Sequence, residues 1–281
     1  MIAFQNAFGL RADGVVDDIV WSTLIEASWT PGSRVLYLRT PNLRGDDVAE
    51  LQTVLNRLGF DCGRVDGIFG PATQNALSEF QRNIGTDGNG ICTPDTVGIL
   101  QRVSSQSGSG PGVAVVRERE ELSDSTPEKT ARVVIGGFDG VTDLVRAAQH
   151  RAAGVFPLAT TVEGDVLAHA QTANRYGADV YVGFEHSAQE SCTIYFYEVP
   201  TFVSIGGRSL AERIVATITD RIPELTVRAE GVRHPVLRET RMPAVLCSMG
   251  PNTLVRLKTA AVANAVVSSL RDWLTAPLEK P

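Results

Sequence analysis

The stretch FQNAFGLRADGVVDDIVWSTL, starting at Phe4, aligns without a gap on FQRNIGTDGNGICTPDTVGIL, starting at Phe80. The Phe-Gln pair, Gly9 with Gly85, Gly14 with Gly90, and Leu24 with Leu100 all coincide. A fixed internal offset means that one supersecondary unit is used more than once. The fold of the first hundred residues is then set by what that unit can bury. The first copy opens in the middle of the unit, whereas the second has its front half. The pattern predicts a partial repeat over 1–30 and a complete repeat over 42–103. The missing front half is either lost or encoded ahead of Met1.

The complete copy predicts three helices. In DDVAELQTVLNRLGF, Val48, Leu51, Val54, Leu55 and Leu58 recur at helical spacing, and Gly59 can end the helix. Asp66-Gly67 marks a tight turn. Pro71 suits the first turn of a second helix, with Ala76, Leu77 and Phe80 on its buried face. Thr93 followed by Pro94 opens a third helix.

After the repeats, SSQSGSGPG (104–112) reads as a flexible linker, and REREE (117–121) as a solvated connector or helix face. The linker is taken as 104–130. A net charge of −6 argues against a nucleic-acid partner, which needs a basic face. No run is long and apolar enough to span a membrane, and the first residues lack the basic and apolar regions of a secretory leader. Cys62, Cys92, Cys192 and Cys247 show no C-x-x-C spacing, so a structural zinc site is not expected. In a reducing compartment they are free buried thiols; Cys62 and Cys92 could pair if the chain were exported.

From 131 to 276 apolar strands alternate with amphipathic helices. RVVIGG, VFPLAT, ADVYVGF, CTIYFYEV and MPAVLCSM read as strands. TDLVRAAQHRAAG, DVLAHAQTANRYG, GRSLAERIVATITDRI and LVRLKTAAVANAVVSSLRDWL read as helices. Buried strands with crossover helices predict an α/β domain with a mostly parallel sheet. The expected fold is thus small all-α repeats followed by that domain.

Over Gly45 to Leu100 the pattern V-x-x-L-Q-x-x-L-x-x-L-G, then V-D-G-x-F-G-x-x-T-x-x-A-L-x-x-F-Q, resembles the peptidoglycan-binding repeat of bacterial cell-wall proteins. The resemblance implies a shallow groove for muropeptide or glycan, with Asp66, Gly67, Phe69, Gly70 and Gln81 at motif positions. The plainer reading of Asp66, Gly67 and Gly70 is that they shape loops.

The second domain resembles the zinc-dependent N-acetylmuramoyl-L-alanine amidases in ANRYGADVYVGFEHSA (173–188), SLAERI (209–214) and VLRETRMPAVLCSMG (236–250). That family implies His, Glu and His around one zinc, with an open position for water and a separate catalytic Glu. Carried over by position, the first His falls on Asp139 and the ligand Glu has no counterpart. The second His falls on Glu185, with His186 one residue late and on the other face of a strand. The catalytic Glu falls on Ser248, whose hydroxyl is no base near neutral pH. Asp139, Glu185 and His186 are weak metal candidates.

A new nucleophile at Cys247 or Ser248 is disfavoured, because the elbow motif needs a glycine where Leu246 stands. No histidine stands at a family base position, and His150 and His169 are expected at surface or edge sites of helices.

The resemblance extends to the actinobacterial cytoplasmic pseudo-amidases that regulate peptidoglycan synthesis, including the stretch SRVLYLRTPNLRGDDVAELQ. It implies a catalytically inactive, cytoplasmic protein that binds peptidoglycan fragments or precursors, without a cofactor. The partner it suggests is UDP-N-acetylglucosamine 1-carboxyvinyltransferase. The alternative is an active zinc-dependent amidase, in which case zinc is the cofactor.

Overall fold

The computed structural model describes residues 1–10, 12–105, 112–123, 126–138, 140–187 and 190–279. Most of the Ser/Gly stretch expected as a linker lies outside them. The chain forms two compact units, Met1–Arg117 and Glu118–Pro281.

The first unit is helical: α1 (Ile2–Ala7), α2 (Asp18–Ala27), α3 (Asp46–Arg57), α4 (Pro71–Asn83), α5 (Pro94–Ser104) and the start of α6 (Val113–Glu121). The three helices expected of the complete repeat are α3, α4 and α5. Pro71 and Pro94 occupy first-turn positions, where a missing N–H costs nothing. The Thr93 hydroxyl caps α5 by accepting from Thr96 N at 3.3 Å. Val48, Leu51 and Leu55 of α3 close on Phe69, Leu77, Phe80 and Leu100 to make one core. The partial copy supplies α1 and α2. The REREE run falls in α6, which takes the second of the two expected readings, a helix face rather than a connector.

The second unit runs β1 (Val133–Gly137), α7 (Thr142–Ala153), β2 (Thr160–Val162), α8 (Val166–Tyr176), β3 (Val180–His186), β4 (Cys192–Val199), β5 (Phe202–Val203), α9 (Ile205–Arg221), β6 (Val227–Val232), α10 (Pro235–Glu239), β7 (Ala244–Met249), α11 (Asn252–Leu257) and α12 (Thr259–Thr275). Strands β2, β1, β3 and β7 lie side by side and parallel. Strand β4 joins β7 antiparallel, and β6 joins β4 parallel. The sheet is therefore mixed but mostly parallel. No helix among the described residues is long and apolar enough to cross a membrane.

Alternation along the strands sends Val180, Val182 and Phe184 of β3, with Val245 and Cys247 of β7, into one core under α7, α9 and α12. Trp273 and Leu270 of α12 and Ile214 of α9 complete it. The opposite face carries Tyr181, Gly183 and Glu185, and is covered by α8 and α10. On this face two glycines make room for ring side chains, Gly136 for His169 of α8 and Gly183 for Tyr181 of β3 itself. A Cβ on Gly136 would stand 2.5 Å from His169 Nδ1, and one on Gly183 would stand 2.9 Å from the Tyr181 hydroxyl.

Three expectations shift. The residues of VFPLAT before Thr160 are turn or irregular, and β2 begins only at Thr160. The last helix breaks at Lys258 into α11 and α12. His169, expected at a surface or edge, has no exposed area at all, because its ring fills the space over Gly136. His150 is exposed, as expected.

Replacing Gly136 or Gly183 with alanine forces His169 or Tyr181 out of place. We expect each variant to lose about 1–3 kcal/mol of unfolding free energy. Urea titration followed by tryptophan fluorescence measures the loss. A change under about 0.5 kcal/mol, the scale of an ordinary surface substitution, would contradict the close fit.

Candidate functional site

The motif residues of the repeat come first. Gln52 is 1% exposed, so its carboxamide must find partners inside the protein. Its Oε1 accepts from Gly67 N at 2.8 Å and from Asp66 N at 3.1 Å. Its Nε2 donates to Asp66 Oδ1 at 2.8 Å and to Ile68 O at 3.1 Å. Asp66 Oδ1 in turn accepts from Ile68 N at 2.8 Å. The turn is locked by one buried amide, and Gly67 supplies the left-handed backbone it needs (φ 70°).

The same device occurs twice more. Gln81 Oε1 accepts from Gly90 N at 2.8 Å, while Nε2 donates to Asn89 Oδ1 at 3.2 Å and Ile91 O at 2.9 Å. Gln5 Oε1 accepts from Gly14 N at 2.8 Å, while Nε2 donates to Asp13 Oδ1 at 3.1 Å and Val15 O at 3.0 Å. A glutamine clamping an Asp/Asn-Gly-Ile/Val turn is thus a staple used three times.

These bonds show what holds the five residues expected at the ligand groove. Asp66, Gly67 and Gln81 are occupied in staples, Phe69 is fully buried in the core, and Gly70 is the N-cap position of α4. All five therefore shape the loops and core of the repeat. An outward surface does exist beside them. Around the Leu36–Cys92 backbone bridge, Leu36 and Cys92 point inward, while Val35, Tyr37 and Ile91 stay exposed.

In the second unit the carboxyl ends of the parallel strands share one sheet edge, where α/β proteins place ligands. Glu185 of β3 pairs in register with Ser248 of β7, and Ser248 with Thr193 of β4. Partners in register have Cβ atoms about 5 Å apart on the same face. The edge therefore carries a row of one carboxylate and two hydroxyls. Ser248 and Thr193 are buried. The Thr193 hydroxyl bonds to Tyr195, whose phenol is pushed up by burial and by the Glu230 and Glu185 carboxylates. Burial, then the neighbouring Cys247 and Glu185, likewise raise the Tyr181 phenol.

Cys247 points away from this row into the core, and burial holds its thiol well above the usual range, so it is no thiolate at neutral pH. The histidines are elsewhere. His169 Nδ1 contacts the Tyr181 hydroxyl at 2.8 Å and its ring stacks on Phe138 at 4.5 Å. His234 caps α10, its Nδ1 accepting from Val236 N at 3.2 Å. His186 lines a cavity with Val141, Leu144 and Met249 on the opposite face from Glu185. Among the described residues no hydrogen bond joins a histidine to Ser248 or Cys247.

A hydrolytic zinc takes three protein donors, commonly histidines with one carboxylate. Asp139 lies outside the described residues. The described donors at the edge are the Glu185 carboxylate and the Ser248 and Thr193 hydroxyls, with His186 facing away. This set does not fit such a zinc. Among the described residues no three His, Cys, Asp or Glu side chains come together as metal ligands.

Residues 44–100 match the family described as a putative peptidoglycan binding domain. The N-acetylmuramoyl-L-alanine amidase CwlM of Mycobacterium tuberculosis is 34% identical over 281 residues, covering 88% of this chain and 69% of its own. The spore cortex-lytic enzyme of Oceanobacillus iheyensis is 41% identical over 61 residues, 22% of each chain. The solved amidase AmiC2 of Nostoc punctiforme is 19% identical with a TM-score of 0.42, covering 50% of this chain and 96% of its own. The chain belongs to the N-acetylmuramoyl-L-alanine amidase family, and it is an amidase-like, peptidoglycan-binding-domain protein.

Two outcomes test this geometry. Gln81→Leu leaves the turn at Gly90 without its buried partners, and we expect a loss of about 1–3 kcal/mol in urea unfolding. Burial lowers the His234 pKa from 6.5 to about 4. Between those values the unfolded chain binds a proton that the folded chain does not, so stability falls as pH drops from 6.5 towards 4. His234→Asn keeps a capping acceptor that does not titrate there. Its stability curve, measured by urea midpoint against pH, should be flatter than that of the parent across this window.

Proposed function

We propose that the chain is a catalytically degenerate amidase, a pseudoenzyme that binds peptidoglycan or its precursors and regulates wall synthesis. The observation that carries this reading is the Glu185–Ser248–Thr193 row at the sheet edge. Amidase chemistry asks for an imidazole and a catalytic carboxylate at the first two places. Here they hold a carboxylate and a hydroxyl. A carboxylate beside neutral hydroxyls can accept hydrogen bonds and attract cations, but it does not provide zinc's open hydrolytic site. In this reading no metal is needed.

The likeness to regulators of precursor synthesis supports a cytoplasmic setting, with UDP-N-acetylglucosamine 1-carboxyvinyltransferase as partner. The repeat supplies wall-fragment recognition. Its contacts come from exposed side chains such as Tyr37 and Ile91 rather than from the staple residues.

The test has three readouts on protein purified without chelator. We expect zinc below about a tenth of an equivalent, where a structural or catalytic site binds near one. We expect no cleavage of muropeptides, and co-sedimentation with purified sacculi that drops several-fold in the Tyr37→Ala, Ile91→Asp double variant. Zinc near one equivalent together with cleavage abolished by Glu185→Ala would overturn the pseudoenzyme reading. Capture of the carboxyvinyltransferase by the immobilised chain tests the partner separately.

A further inference from the structure

Strand β6 forms one rim of the sheet. It pairs with β4 in parallel, and among the described residues no other strand pairs with it. Successive residues of a strand turn their backbone N–H and C=O groups to opposite sides. Cys192 N donates to Thr226 O at 2.8 Å, so Thr226 faces β4, and Arg228 and Glu230 face it too. Val227, Ala229 and Gly231 therefore turn their N–H and C=O groups away from the sheet. Among the described residues no backbone bond reaches these groups. All three residues are half-buried, so the rim is open to another chain. A free rim of this kind is a template for a further strand.

The charges on β6 say which strand fits. Arg228 and Glu230 stand two residues apart on one face, with side chains 51% and 46% exposed. That order makes the strand complementary to itself read backwards. In an antiparallel pair centred on Ala229, Ala229 meets its own copy and Val227 meets Gly231 of the second chain. The outward N–H and C=O groups of all three residues are then bonded. Arg228 meets Glu230 of the second chain, and Glu230 meets its Arg228. Both meetings fall at the non-hydrogen-bonded positions, where side chains approach most closely, with about 4.5 Å between Cα atoms. A slide of one residue sets outward backbone groups against inward ones. A slide of two sets arginine against arginine or glutamate against glutamate, which is unfavourable. The register centred on Ala229 satisfies backbone and charge together.

We propose that β6 is a self-docking strand: two copies of this chain pair β6 with β6 about a two-fold axis at Ala229, joining their sheets. The half-exposed side chains of Val227 and Ala229, which pack on the core, are covered in the same step. One strand pair is a small contact beside the roughly 1,200–2,000 Å² of a stable interface, so the dimer is weak and grows with concentration. The inference goes beyond the proposed function. Its test reads mass rather than zinc, cleavage or sacculus binding, so the two fail separately.

Sedimentation of the full chain up to about 1 mM, the weak end of specific association, should show a monomer–dimer equilibrium. Arg228→Glu sets glutamates against glutamates at both symmetric positions, and Glu230→Arg sets arginines against arginines. Each should weaken the dimer about tenfold or more. Because both side chains are exposed, far-UV circular dichroism should show the fold unchanged in each. An equal mixture of the two variants should restore dimerisation, since every opposed pair is then again of unlike sign. The double variant should restore it alone. A monomer at every concentration would overturn the proposal. So would a dimer indifferent to the single changes, or a mixture no stronger than its components.

Discussion

Parallel pairing of β3 with β7, from Tyr181 beside Ala244 to His186 beside Met249, governs the chemistry of the second unit. The side-chain period of a strand is two, so this register decides at one stroke which residues meet the core and which meet the ligand edge. Cys247 goes inward and Ser248 stays on the row with Glu185. A slip of one residue would put a thiol beside the carboxylate and a hydroxyl in the core. The register is held by residues far from the edge: Val182, Phe184 and Val245 are fully buried under α7, α9 and α12. The arrangement of side chains at the edge is therefore set by apolar packing below it.

The first unit solves a different problem. A unit of three short helices has little core, and its loops cannot be held by apolar burial alone. A buried glutamine replaces several such contacts. Its carboxamide offers both a donor and an acceptor in one rigid plane, and both are matched to the backbone of an Asx-Gly turn. Breaking one match leaves the other group unsatisfied in a dry interior, which makes the device all-or-none.

Much of this fold is readable from the chain. Helical spacing locates α3 and α4, and continuous apolar runs locate β1, β3 and β7, because in each case one period dominates. Strand β6 escapes notice because its alternating Arg228 and Glu230 make it read as polar surface, as suits a strand on the sheet's rim. Helix α10 is only five residues long, too short for periodicity to show. His169 cannot be placed from sequence, since its burial depends on a glycine at 136, on strand β1, distant in the chain. At the site, Glu185 and Ser248 are both legible as residues at the ends of neighbouring strands. The staple is not: the role of Gln52, Gln81 and Gln5 shows only in their hydrogen bonds.

Asn89-Gly90 is a pair of the kind most exposed to chemical ageing, because glycine leaves its own nitrogen open to attack on the asparagine amide. In the staple that nitrogen already donates to Gln81, and the Asn89 side-chain oxygen Oδ1 already accepts from Ile91 N at 2.9 Å. The groups that would have to meet for succinimide closure are held in other bonds. The geometry that shapes the repeat thus also slows its clock, and the glutamine serves as a preservative as well as a clamp.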